Sequence, residues 1–100
     1  MSDFVPPQIE LISKAAINAA ERLELPMSIV KTIAYDPVRS LLLVRLYRLL
    51  DMMVGGNNYE AKNWILSKNK SFEGNSPLEV LISPDGLRDI VKYLEENQVI

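Results

Sequence analysis

The sequence contains no cysteine and no histidine among its 100 residues. Without a thiol or an imidazole there is no disulfide, no thiolate nucleophile, and no histidine base or metal ligand. Glu95 and Glu96 are adjacent, so on a helix they diverge and make a poor acid–base pair. We therefore expect a protein that is not an enzyme and that has no catalytic, cofactor or metal site. The lack of cysteine also fits a reducing cytoplasm.

A strong net charge and a long apolar run are missing too. The formal net charge of −2 gives no bulk attraction to nucleic acid or to an anionic membrane. The longest apolar region, residues 41–54, is interrupted by Arg45, Arg48 and Asp51, whereas a transmembrane helix needs about 20 mostly apolar residues. The N-terminus is acidic and lacks the apolar stretch of a signal peptide. We expect a soluble cytoplasmic protein that makes no membrane contact.

Apolar periodicity and capping residues predict a series of helices. The predicted helices cover residues 7–23, 26–33, 37–54 and 59–68, followed by a short helix opened by the capping box Ser76-Pro77-Leu78-Glu79 and a last helix that starts near Gly86. No segment alternates apolar and polar residues for long enough to make a strand. The expected fold is all-α, a small helical domain of about five to six helices.

The helix predicted from residue 37 is the most apolar of these. Asp36 is a favourable N-cap, Pro37 suits the first helical position, and Gly55-Gly56 ends the helix. A helix that is apolar over most of its circumference is buried on several sides or lies at a subunit interface. This pattern predicts a self-associating chain, most simply a homodimer.

One spaced pattern in the second half of the chain matches a known family. It consists of Ala61, Trp64-Ile65-Leu66, Asn69, Phe72, Gly74, Ser76-Pro77-Leu78, Leu81, Ser83, Gly86, Val91 and Leu94. This resembles the toxin-binding domain of the MbcA/ParS/Xre-type antitoxins, small bacterial proteins encoded beside a toxin with a RES domain. The resemblance implies an antitoxin of a type II toxin–antitoxin system, whose partner is a NAD-consuming RES-domain toxin that it inhibits sterically.

The resemblance also suggests how the chain is divided. Residues 1–36 look like a truncated helix-turn-helix, and residues 37–100 resemble the connecting helix and the toxin-binding domain. Family members usually have a second short helix and a recognition helix where this chain has only residues 34–41. DNA binding is therefore doubtful, and a DNA-binding autoregulator of Xre type is the alternative function.

Candidate partner-binding residues lie in two places. The last helix has a predicted buried stripe of Leu87, Ile90, Val91 and Leu94. Val99 and Ile100 are apolar and lie outside this stripe, and in the resembled antitoxins the C-terminal region approaches the NAD pocket of the toxin. Self-packing or disorder of this tail is the other interpretation. Lys68, Asn69 and Lys70 form a small basic loop, for which an exposed turn is the alternative.

Three further residues have competing interpretations. The position of Trp64 in the apolar stripe of its helix favours a core tryptophan over a partner-binding hot spot. Arg45 and Arg48 share a helix face. They are expected to pair with acidic residues such as Asp51 or Glu60, the alternative being contact with a partner.

Overall fold

A computed structural model of the protein describes residues 7–83 and 85–98, with side chains from residue 11 onward. Over these residues the chain forms six α-helices and no β-strand, so the predicted all-α fold is confirmed. In chain order the elements are α1 (Pro7–Arg22), α2 (Met27–Ala34), α3 (Pro37–Met53), α4 (Asn58–Leu66), a turn of 3-10 helix (Lys70–Phe72), α5 (Pro77–Leu81) and α6 (Gly86–Glu96).

Helix α3 is the centre of the fold. Asp36 caps it as predicted, since its carboxylate accepts hydrogen bonds from the backbone N–H groups of Val38 at 2.9 Å and Arg39 at 3.3 Å. Helices α1 and α6 make the largest contacts with α3, and α2 and α4 add to them. These neighbours cover much of the apolar circumference of α3, whereas Val38, Leu41 and Met52 are more than half exposed.

Helices α1 and α2 pack on one side of α3. The buried residues of α1 are mainly alanines, Ala16, Ala19 and Ala20, whose small side chains let the two helix backbones approach closely. The buried hydroxyl of Ser40 on α3 donates to the Ile33 carbonyl at 3.0 Å. That hydrogen bond satisfies a polar group inside the core and ties α2 to α3.

Helices α4, α5 and α6 complete the same core. The predicted buried stripe of the last helix is confirmed, because all four of its residues are at most 4% exposed: Leu87, Ile90, Val91 and Leu94. Ile65 of α4 and Leu81 of α5 join them. The core runs without a break from α1 to α6, across the predicted division between residues 36 and 37.

Two predicted details are wrong. Helix α4 ends at Leu66 and not near residue 68, because the backbone at Ser67 is already extended and its N–H and hydroxyl both donate to the Asn63 carbonyl. Arg45 pairs with an acidic residue, as expected, but its partner is Glu95 of α6 and not Asp51 or Glu60. Periodicity within one helix cannot reveal such a partner, since it comes from a helix 50 residues later.

No helix within residues 7–83 and 85–98 has both the length and the apolar character needed to cross a bilayer.

Candidate functional site

The turn between α3 and α4 sets the direction of the second half of the chain. Gly55 and Gly56 have φ values of +61° and +80°, a left-handed conformation that glycine adopts without strain. The Asn57 side chain then caps α4 by accepting a hydrogen bond from the Glu60 N–H at 3.1 Å. Helix α4 packs against α3, and the loop that follows α4 lies beside α6.

Residues 67–75, which we call the clasp loop, are closed by hydrogen bonds at Asn69. Its N–H donates to the Asn75 carbonyl, and its own carbonyl accepts from the Gly74 N–H, both at 3.0 Å. Its side chain accepts from the Ser71 N–H at 2.9 Å and so caps the 3-10 turn. Asn69, predicted as a partner-binding residue, therefore has a structural task, while Lys68 and Lys70 on either side of it are exposed.

Three half-buried aromatic rings fasten the clasp loop to the helices. Phe72 meets Tyr93 of α6 edge-on at a centroid distance of 5.0 Å, and meets Trp64 of α4 edge-on at 6.2 Å. Trp64 stacks on Tyr93, also at 6.2 Å. Trp64 thus joins its helix to its neighbours, as expected of a core tryptophan, but it is only partly buried.

Local contacts also fix the conformation of the segment after the clasp loop. Ser76 and Glu79 form the predicted capping box, in which each side chain bonds the backbone N–H of the other residue at 3.2 Å. At the start of α6, a Cβ on Gly86 would lie 1.6 Å from the Val80 carbonyl oxygen. Only glycine fits there, and its close approach fixes how α6 packs on α5.

An open groove of about 450 Å³ lies between the clasp loop and α6. Phe72 and Tyr93 line it together with Val80. The charged residues that line it are three acids and one base: Glu73, Asp89, Glu96 and Lys92. The groove is apolar at its floor and predominantly acidic at its edges, an arrangement suited to contact with another protein.

The clasp loop and the last turn of α6 lie on one side of the domain. Ser71 and Glu73 of the clasp loop line the same groove as Glu96 in the last turn of α6. After α6, the side chain of Gln98 donates to the Leu49 carbonyl of α3 at 3.4 Å. Val99 and Ile100, the predicted tail residues, lie outside the described residues.

A polar junction connects α1 to this half of the chain. The Asn58 side chain donates to the Arg22 carbonyl at 3.0 Å, and the Arg22 guanidinium bonds the Tyr47 hydroxyl at 3.4 Å. The hydrogen bond with Tyr47 raises the pKa of Arg22. The arginine is charged at any physiological pH, so the junction is held by a permanent cation. Sequence periodicity gave no sign of this junction, whose members come from three helices.

The described residues contain no group of three carboxylate, histidine or cysteine side chains arranged to hold a metal ion.

Helix α2 is separated from α3 by two residues only, Tyr35 and Asp36.

Comparison with known families agrees with this geometry. The model of the antitoxin Xre/MbcA/ParS C-terminal toxin-binding domain matches residues 48–96. The match begins in the second half of α3 and ends with α6, so it contains the clasp loop and the groove. Comparison with curated proteins finds no match. The resemblance expected from the sequence is thereby confirmed over residues 48–96, which match the family of Xre/MbcA/ParS antitoxin toxin-binding domains.

Proposed function

We propose that the protein is the antitoxin of a type II toxin–antitoxin pair, and that it binds and sterically inhibits a NAD-consuming toxin with a RES domain. The observation that carries this proposal is the family match over residues 48–96. The RES-domain identity of the partner follows from the family resemblance of the motif residues. In this proposal the protein acts in the cytoplasm, performs no chemistry itself and needs no cofactor.

The shape of the matched segment supports a docking role. The clasp loop is held by backbone hydrogen bonds and by the ring of Phe72, so its surface is fixed before a partner arrives. A preformed surface loses little conformational entropy on binding, which favours affinity. The groove beside it offers apolar area from Phe72 and Tyr93 that a partner side chain can bury.

Charge on this side of the domain is arranged in two parts. Lys68 and Lys70 are exposed on the clasp loop, whereas Glu73, Asp89 and Glu96 line the groove. Adjacent patches of opposite sign select a partner with the complementary pattern and speed its association. In this proposal the toxin contacts both patches, and Val99 and Ile100 cover the entrance of its NAD pocket.

The short α2–α3 connection argues against direct DNA binding. A recognition helix needs several side chains that reach base edges and others that contact phosphates. Here α2 is followed after two residues by α3, the central helix of the core. We therefore give autoregulation by direct DNA contact no part in the proposed mechanism.

Co-expression with the toxin encoded beside its gene tests the proposal. The purified complex should contain both proteins, and cellular NAD should stay at its normal level, whereas the toxin alone depletes it. Tyr59→Ala is a control variant that should inhibit the toxin as well as the original chain does. It alters an exposed side chain of α4 that does not line the groove. A toxin that consumes NAD at its full rate with excess antitoxin present would refute the proposal.

A further inference from the structure

A second pocket, distinct from the groove beside the clasp loop, lies between α2 and the segment that contains α5 and the start of α6. Its volume is about 340 Å³, near the lower end of the roughly 300–1,000 Å³ that ligand pockets occupy. We call it the α2–α5 pocket. Ile82, which follows α5, lines it and is 71% exposed. The other apolar side chains of its lining come from α2, α5 and α6: Ile29, Ile33, Leu78, Leu81 and Leu87.

Arg39 gives this pocket its charge. It is the only ionisable residue among the described residues that line the pocket. Its Nε lies 3.7 Å from the Asp36 carboxylate, and about a third of its side chain is exposed. That distance is too long for a hydrogen bond, so the guanidinium keeps donors for another acceptor. Because a carboxylate is the natural complement of a guanidinium, the pocket fits an apolar side chain with a carboxylate beside it.

The origin of the lining residues indicates which molecule supplies that side chain. Residues 78–87 of the lining lie within the matched toxin-binding domain, whereas α2 and Arg39 precede it. The pocket is therefore continuous with the domain whose family binds toxins, and it is completed by the N-terminal half of the chain. A pocket of this size suits one or two side chains of a protein surface better than a cofactor.

From these observations we propose that the toxin inserts an apolar side chain into the α2–α5 pocket and sets a neighbouring carboxylate against Arg39. This inference rests on the proposed function, and it adds a contact surface for the same toxin. It gives the N-terminal half a part in toxin binding, because α2 and Arg39 complete the pocket. Burial of the apolar side chain contributes affinity, and the charge pair fixes the orientation of the toxin.

Two substitutions in the full-length chain test this contact. Ile82→Ser and Arg39→Gln should each raise the dissociation constant for the purified toxin about tenfold, as measured by calorimetry. Leu11→Ser removes a similarly exposed apolar side chain from α1, and Lys31→Gln removes a cation of α2 that does not line the pocket. These two controls should bind the toxin like the original chain. Melting curves should confirm that all four variants are folded.

A photo-crosslinker locates the contact directly. Benzoylphenylalanine at position 82 should capture the toxin when the complex is irradiated, whereas the same group at position 11 should not. Mass spectrometry of the cross-linked toxin peptide should find an apolar residue beside an aspartate or a glutamate. A peptide without a carboxylate near the cross-linked residue contradicts the proposed pairing with Arg39.

The outcomes separate this inference from the proposed function. If the original chain does not bind the toxin, the proposed function is wrong and this inference fails with it. If the original chain binds and inhibits the toxin while the Ile82 and Arg39 variants bind it equally well, only this inference is overturned. It is also overturned if the two variants leave the affinity for the toxin unchanged and alter self-association of the free chain, measured by sedimentation.

Discussion

Phe72 and Tyr93 are 21 positions apart in the sequence, yet their rings meet edge-on with centroids 5.0 Å apart and planes at 63°. This contact joins the clasp loop to α6 at the floor of the groove. It makes the position of the loop depend on the helix, so a substitution at Phe72 should change both the stability of the fold and the shape of the proposed binding surface.

Phe72→Ala is expected to loosen the clasp loop. It removes two aromatic contacts, each worth about 0.5–1.5 kcal/mol beyond the buried area. The melting temperature should fall by several degrees, since about 1 kcal/mol corresponds to roughly 4–8 °C in a domain of this size. Affinity for the toxin, measured by calorimetry, should fall as well. Phe72→Leu keeps most of the apolar volume, and its intermediate behaviour would show that ring geometry matters.

Gly86→Ala is expected to be among the most damaging single substitutions. The new methyl group would lie 1.6 Å from the Val80 carbonyl oxygen, so α5 or α6 must move. Overpacking of this kind costs typically 1–3 kcal/mol and sometimes more. Urea unfolding should show a loss at the upper end of that range. Gly55→Ala is the matched control: it has open space around it and suffers only from its positive φ, which costs about 1–2 kcal/mol.

Two aspartates at helix starts should differ in their effect on stability. Asp36 accepts two backbone hydrogen bonds at the start of α3, whereas Asp85 makes no side-chain cap at the start of α6. Asp36→Ala should therefore cost about 1 kcal/mol in the free energy of unfolding. Asp85→Ala should cost much less, as measured by the same denaturant titration. Equal losses would show that the two carboxylates act through the helix dipole and not through hydrogen bonds.

Features that depend on local contacts could be predicted from the sequence, and features that depend on long-range contacts could not. The cap at Asp36, the capping box at Ser76 and the stripe from Leu87 to Leu94 depend on residues close together in the chain, so local rules predicted them. The ion pair of Arg45 with Glu95 depends on the packing of α6 against α3, which no local rule contains.

The candidate site was predictable only in outline. Asn69 and Phe72 were visible as parts of the family motif, but their roles as closure and anchor of the clasp loop come from contacts with Asn75 and Tyr93. An asparagine followed three residues later by an aromatic residue, and then by Glu73-Gly74, is the sequence signal that could have indicated a closed loop. In the structure both Glu73 and Gly74 have positive φ.

DNA binding is expected to be weak or absent without the toxin. The two residues between α2 and α3 leave no recognition helix, and the net charge of −2 offers no compensation. An electrophoretic shift with the upstream region of its gene, at stated salt because phosphate contacts are salt-sensitive, measures this. Nanomolar, sequence-selective binding would contradict the expectation and favour the transcriptional regulator.

Removing residues 98–100 is expected to impair inhibition more than folding. Gln98 makes one long hydrogen bond to Leu49, and the buried stripe of α6 ends at Leu94. The melting temperature should therefore change little. If Val99 and Ile100 dock in the toxin, their loss removes at most about 1.5–3 kcal/mol of burial per side chain. Each 1.4 kcal/mol or so of lost burial corresponds to a tenfold loss of affinity for the toxin. This loss is measurable as reduced protection of cells from the toxin.

A second variant shows which part of the proposed surface carries the binding. Lys68→Glu combined with Lys70→Glu reverses the charge of the clasp loop and leaves the hydrogen bonds of Asn69 in place, so the fold should be retained. If the shortened chain loses inhibition and the charge variant keeps it, the tail is the inhibiting element. If the shortened chain melts normally and still neutralises the toxin fully while the charge variant fails, the tail has no part in inhibition. The interface then lies on the clasp loop, because a reversal of exposed charge acts on a partner and not on the core.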